Sequence, residues 1–313
     1  MVLSESRRLD LLRSWLFLPG ADLAALLAAP ASGADVLVQE LEDFTPPERR
    51  PQAHALARQV LDSWRQAGLC AAVRINPLGE GGEADLRAVM PARPEIVMMS
   101  KVAEPRDVCA LDALVTAHEI ELGLPHGTTL LVPNIESARG IVQAIAIAQA
   151  SPRVRAMLVA TEDTVADIGA ERTREGRELL YPRARFLLEC TAAGVTAIDC
   201  PYTFQDAEGA EHDMGIACTL GYKAKAVVHA PHVAVANRAL TPTQDAVGRA
   251  RRQVRAFEAA RKAGQERAEV DGLLVEVPSY RSARRLLERH EALARATERR
   301  LGHAVAAREV HHA

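Results

Sequence analysis

Cysteine is scarce in this chain. Its 313 residues include five, Cys70, Cys109, Cys190, Cys200 and Cys218, an odd number with no close pair. That argues against a disulfide scaffold or a zinc site and predicts that most are small buried apolar residues. Positive charge is not in surplus. Lys and Arg total 38 against 41 Asp and Glu, a net charge of −3, so nothing points to nucleic acid as a partner. Long apolar runs are missing too. The first run, Trp15 to Leu18, follows Arg7, Arg8, Asp10 and Arg13 and is too short for a signal peptide or a membrane span. The expectation is a cytoplasmic protein with no membrane partner. No Gly-rich dinucleotide turn follows the first candidate strands, and no solenoid-type repeat is visible. The pair His229 and His232 has a spacing that can bind metal, but helix or loop residues are the better reading. His311 and His312 read as a frayed end.

What remains is an ordinary globular composition, 48% hydrophobic and 25% charged, enough for one large domain or two modest ones. Short apolar runs recur at residues 14–18, 35–41, 70–75, 95–99, 129–135, 155–160, 195–199 and 225–228. Helix-like segments separate them, with apolar residues at helical spacing such as Ala53, Leu56, Val60 and Trp64. The alternation predicts an α/β fold, a (β/α)8 TIM barrel over residues 1–235 with a helical C-terminal extension over 236–313. The extension reads as a helix at 246–263, a short extended lid segment at 272–277 and a helix at 279–305. It is expected to pack on the barrel or on a neighbouring subunit.

Residues 128–163 hold two apolar runs that each end in an acid, Leu130 to Glu136 and Val154 to Asp163, with a helix-like segment between them. A right-handed βαβ crossover puts both strand tips at one edge, where α/β proteins bind ligands. Carboxylates gathered there raise each other's pKa unless a cation joins them, and Mg²⁺ typically uses one or two protein carboxylates. Glu136 and Asp163 are therefore the candidate metal ligands. The alternative is that each acid caps the helix that follows it. Other strand ends carry Glu40, Glu42 and Asp43, Arg74, Lys101, Glu162, Asp199 and His229. Arg74, set between Val73 and Ile75, must find a polar partner for its guanidinium: a substrate oxygen, or an internal ion pair with Glu42 or Asp43. Backbone N–H groups near Ala160, Thr161 and Glu162, with those of Thr164 to Gly169, are candidates to bind a substrate carboxylate.

Several stretches in this order resemble the citrate lyase β-subunit-like branch of the HpcH/HpaI aldolase superfamily. They are Arg13-Ser14-Trp15-Leu16-Phe17-Leu18-Pro19-Gly20, Leu41-Glu42-Asp43, Val73-Arg74-Ile75-Asn76-Pro77, Ile135-Glu136-Ser137-Ala138, Glu162-Asp163 with Asp167-Ile168-Gly169, and Asp271-Gly272-Leu273-Leu274-Val275-Glu276-Val277-Pro278. The resemblance implies a TIM barrel, usually trimeric or hexameric, with Mg²⁺ held at Glu136 and Asp163 and substrate at Arg74. It implies reversible carbon–carbon cleavage of a 3-hydroxyacyl thioester such as citryl-, malyl- or citramalyl-CoA into an acyl thioester and a keto acid. It also places Glu276, where the family commonly has Asp, as the catalytic acid or base. The loop after Gly20, where relatives carry basic residues able to meet nucleotide phosphates, has none from Ala21 to Leu26. This keeps two other readings open: an aldolase for free hydroxy-keto acids giving pyruvate, and a metal-binding homologue without catalysis.

Overall fold

The computed structural model describes residues 8–310, with side chains through residue 299. Eight parallel strands close into a barrel in sequence order: β1 Ser14–Pro19, β2 Val36–Glu40, β3 Cys70–Ile75, β4 Ile96–Met99, β5 Leu130–Ile135, β6 Ala156–Val159, β7 Thr196–Asp199 and β8 Ala224–Val227. The ring shuts where β1 pairs with β8, Trp15 beside Ala226. The connections carry α1 Leu23–Ala28, α2 Arg50–Gln66, α3 Gly82–Val89, α4 Pro105–Glu121, α5 Ala138–Val142, α6 Ala144–Gln149, α7 Thr161–Ile168, α8 Leu180–Ala193, α9 Ala207–Leu220 and α10 His232–Ala239. The single helix expected between β5 and β6 is two short ones that meet at Gln143.

The side-chain alternation of a strand sorts the core into two clusters. Trp15, Phe17, Val36, Val38, Ala72 and Met98 pack with Val132, Leu158, Ile198 and Ala226 inside the barrel. Their neighbours Leu16, Leu37, Val73, Val97, Leu131 and Met157 pack outward against the helices, with Trp64, Leu86 and Phe186. The barrel interior is thus a filled core, and chemistry is confined to its ends.

The chain divides into two compact units, the first running to Leu240 and the second spanning Thr241–Val305. In the second, α11 Gln244–Lys262 is followed by a hairpin of β9 Ala268–Val270 and β10 Leu273–Val275, then by α12 Val277–Val310, which belongs to this unit as far as Val305. Only the later strand falls within the predicted extended segment. Phe257 stacks on Tyr280 at 4.8 Å between ring centres, and Tyr280 donates to Glu258 at 3.0 Å. Of the cysteines, Cys190 and Cys200 are buried, Cys70 and Cys218 half-buried and Cys109 exposed, so the expectation of mostly buried thiols fails. Among the described residues no helix is long and apolar enough to cross a membrane. His311 and His312 lie outside the described residues.

Candidate active site

The strand alternation that fills the barrel also decides which side chains crown it. On β2 the inward series Val36, Val38 ends at Glu40. On β3 the series Cys70, Ala72 ends at Arg74. On β5 Leu130 and Val132 lead to Asn134 and, one step past the strand, Glu136. Glu40 and Arg74 are register partners in the sheet. Arg74 Nε donates to Glu40 Oε1 at 2.9 Å, while Nη2 lies 3.2 Å from Glu42 Oε2 and 3.8 Å from Asp43 Oδ2. The guanidinium stands over the Phe17 ring at 5.3 Å. Glu40 is held in turn by the backbone N–H groups of Glu42 and Phe44, both at 2.6 Å. Burial opposes the charge on Arg74, but Glu40, Glu42 and Glu136 outweigh it and raise its pKa. Glu40, one of the strand-end acids, is thus the first partner of Arg74, ahead of the expected Glu42 and Asp43; the signal for the pairing is its place two residues after Val38 in the inward series.

Behind this pair the turn after β1 is tight. Gly20 N–H donates to Thr45 Oγ1 at 2.9 Å, and its carbonyl accepts from Gln39 Nε2 at 2.9 Å. A Cβ on Gly20 would overlap the Glu40 carbonyl oxygen. Across the mouth, Lys101 follows β4 in a left-handed conformation, φ 54°, which is uncommon for a residue with a Cβ. Its Nζ stands 2.7 Å from Glu42 Oε1. Glu42 therefore lies buried between Lys101 and Arg74, in ion pairs that lack hydrogen-bond geometry.

Glu136 is 3% exposed, and neither of its carboxyl oxygens has a side-chain hydrogen-bond partner among the described residues; the backbone N–H of Lys101 is a neighbouring donor. Burial pushes its carboxyl up to about 8; Arg74 pulls the other way, and the charges of Glu42 and Asp163 push it higher. Both polar atoms of Asn134 and the Thr161 hydroxyl are likewise buried and unmatched among the described residues. Asp163 sits in the first turn of α7, exposed and lining a cavity of about 100 Å³ at the mouth. Phe17, Leu158, Ala226 and Val228 line the cavity from the barrel side. Asp43, Phe44, Arg74, Thr161, Glu162 and Thr203 are among the others. Among the described residues no group of three or more His, Cys, Asp or Glu could hold a metal. The candidate donors, Glu136 and Asp163, would suit a hard divalent cation that fills its remaining positions with water and substrate oxygens. Orphaned carboxylate oxygens are what such an ion would satisfy.

Other expected groups are disposed differently. Ala160 cannot offer its N–H to a ligand, because it donates to the Ile135 carbonyl at 2.8 Å. Thr164 to Ile168 form the body of α7, and Gly169 caps it with its N–H turned to Ala166 O, so their amides are not a binding loop. Asp167 accepts from Ala138 N–H at 2.8 Å and so ties α7 to the start of α5. The free amides are those of the first turn, Thr161 to Asp163. The Glu162 carboxylate is committed to Arg172 Nε and Thr203 Oγ1, each at 2.9 Å. Glu42 and Glu136 are not among the residues lining the cavity. Asp199 is not at the mouth. It is out of phase with the inward Ile198, so it faces the helices and binds Arg183 at 2.9 and 2.6 Å and Lys225 at 2.7 Å. His229 and His232 turn to the Thr203 and Gln205 carbonyls, as loop-packing residues do. Glu276 is exposed, just before α12 in the second unit, where its carbonyl accepts from Tyr280 N–H at 2.9 Å.

The family model described as HpcH/HpaI aldolase/citrate lyase matches residues 13–230. The chain is 31% identical to the citrate lyase subunit beta of Escherichia coli (strain K12) over 289 residues, 92% of this chain and 96% of that one. It is also 31% identical to the L-malyl-CoA/beta-methylmalyl-CoA lyase of Cereibacter sphaeroides over 303 residues, 90% of this chain and 95% of that one. Among solved structures, protein CitE from Mycobacterium tuberculosis in complex with magnesium, acetoacetate and coenzyme A superposes with a TM-score of 0.72 at 26% identity, covering 89% of this chain and 98% of that one.

Proposed function

Because the chain belongs to the HpcH/HpaI aldolase/citrate lyase family, we propose that it is a Mg²⁺-dependent carbon–carbon lyase. It would act on a 3-hydroxyacyl-CoA or similar thioester, of the citryl-, malyl- or citramalyl-CoA kind. The observation that carries this reading is Glu136, whose buried oxygens find no side-chain hydrogen-bond partner within the described residues while Asp163 stands close enough to raise its pKa. Glu136 and Asp163 would hold the Mg²⁺, which when bound supplies Lewis-acid polarisation of the substrate's oxygens. Arg74 is a fixed cation whose fork is oriented by Glu40 and Glu42, so it meets developing negative charge without reorganising. The first-turn amides of α7, Thr161 to Asp163, suit a substrate carboxylate. In the cleavage direction the hydroxyl loses its proton and becomes a carbonyl. The bond to the neighbouring methylene breaks, and the thioester enolate takes a proton at carbon. Glu276 of a neighbouring subunit is assigned that last transfer, which requires a homo-oligomer; the reading is of a trimer or hexamer in the cytoplasm.

The test is to assay keto-acid release from citryl-, malyl- and citramalyl-CoA with Mg²⁺ and with EDTA. Cleavage of at least one thioester, abolished by EDTA and restored by Mg²⁺, is expected. Glu276→Gln should then lower kcat about 100-fold with metal binding unchanged. Cleavage of a free hydroxy-keto acid with no thioester turned over would select the aldolase alternative, which the loop from Ala21 to Leu26 favours by offering no cation to nucleotide phosphates. Metal binding without turnover of either would leave a non-catalytic homologue.

A further inference from the structure

The carbinol carbon of a 3-hydroxyacyl thioester carries a hydroxyl, a carboxylate, the thioester arm and a fourth substituent. The first two need the polar edge of the cavity, formed by Asp163, Arg74 and the first turn of α7. The thioester arm must leave through the mouth, because a cavity of about 100 Å³ cannot hold its carrier. The fourth substituent is left with a lining that is apolar apart from Thr203: the barrel-side wall of Phe17, Leu158, Ala226 and Val228, with Phe44 and Pro201 also around the cavity. Three of these, Phe17, Leu158 and Ala226, belong to the apolar cluster inside the barrel. The charged groups around the cavity are Arg74, Asp43, Glu162 and Asp163. Arg74 is the one cation among the described lining residues, and Glu40 and Glu42 already engage it at 2.9 and 3.2 Å.

We infer that the site selects a thioester whose carbinol carbon bears a small alkyl group, rather than hydrogen or a second carboxymethyl arm. The inference rests on the lyase reading above and names the acyl class within it. A carboxymethyl arm would be stripped of water against hydrocarbon and left facing acids, with no cation to spare for it. Hydrogen would leave the wall unfilled, whereas a methyl or ethyl group removes apolar surface from water at no electrostatic cost. Cleavage then breaks the bond from the alkyl-bearing carbon to the methylene beside the thioester. The electron pair passes to the thioester enolate, which is protonated at carbon. The hydroxyl proton leaves, and a 2-oxo acid with an apolar side chain is released.

The experiment measures kcat/KM with Mg²⁺ for malyl-, citramalyl- and citryl-CoA, each in both configurations at the carbinol carbon. In parallel, calorimetry measures pyruvate, 2-oxobutanoate, glyoxylate and oxaloacetate binding to the Mg²⁺-loaded protein. Citramalyl-CoA is expected to exceed malyl-CoA about tenfold and citryl-CoA about 100-fold or more. Pyruvate and 2-oxobutanoate should bind more tightly than oxaloacetate. Val228→Arg, at the half-buried end of the wall, should raise the citryl-to-citramalyl ratio at least tenfold. Citryl-CoA cleaved as well as citramalyl-CoA, or oxaloacetate bound as well as pyruvate, would overturn this inference and leave the lyase reading standing. No turnover of any thioester would remove the lyase reading, and this inference with it.

Discussion

Two groups of buried charges lie on opposite sides of the barrel wall. Outside it, Arg183 of α8 and Lys225 of β8 meet Asp199 of β7 and Asp213 of α9. Arg183 reaches Asp199 at 2.6 Å and Asp213 at 2.8 Å, while Lys225 reaches Asp199 at 2.7 Å and also contacts Asp213. Two cations face two acids, and every member has partners. At the mouth, Glu40, Glu42, Asp43, Glu136 and Asp163 gather around Arg74 and Lys101, and Glu136 is left without a side-chain hydrogen bond among the described residues. Both groups tolerate burial, but the outer one is complete in itself and the inner one is short of positive charge. The first kind suits holding elements together; the second suits the cation proposed for it.

That contrast can be broken from either side. The largest effect belongs to the outer group. Asp199→Ala strands Arg183 and Lys225 beside a single acid and should cost about 3–5 kcal/mol of stability, read as a lower urea midpoint. A variant as stable as wild type would mean that water replaces the lost partner. Glu136→Gln should do the opposite at the mouth. It should weaken Mg²⁺ binding about 100-fold, roughly 3 kcal/mol. The metal-free fold should meanwhile be unharmed or more stable near pH 8. The sign follows from a raised carboxyl pKa. The contribution of Glu136 is complete below its unfolded value near 4.5 and is lost as pH rises through about 8. Without metal, wild-type stability should therefore fall across that window more steeply than that of Glu136→Gln; equal slopes would place the carboxyl in a wetter setting. The smallest and sharpest effect is proton release. If Mg²⁺ takes the Glu136 carboxylate, calorimetry in buffers of different ionisation enthalpy should find about one proton leaving per ion at pH 7 and almost none above pH 9. No buffer dependence would separate Glu136 from the ion.

The barrel was legible in the sequence because eight apolar runs alternate with helical segments, and the extension's helices because their apolar and charged positions repeat at helical spacing. The site was legible only where a strand end kept the inward phase. Arg74, Glu136 and Glu40 could be read this way, though not the bond that joins Glu40 to Arg74. Asp199 was misread as part of the mouth because its position at a strand end hid that it was one residue out of phase with Ile198. Lys225 is out of phase with Ala224 and Ala226 in the same way. The amides after Asp163 were misassigned because the composition from Thr164 to Gly169 suits a turn as well as a helix, and only the backbone bonds decide. The first strand of the C-terminal hairpin was missed because Ala268, Glu269 and Val270 carry too little apolar surface to stand out.

The turn after β1 has a consequence for how this chain can change. Gly20 touches none of the proposed reacting groups, yet any larger residue there would press on the carbonyl of Glu40. The displacement would pass along β2 to the carboxylate that aims Arg74. In a library of random variants, position 20 should therefore tolerate as little as the ligands themselves, and mutational sensitivity alone would misidentify a hinge of backbone as a point of contact.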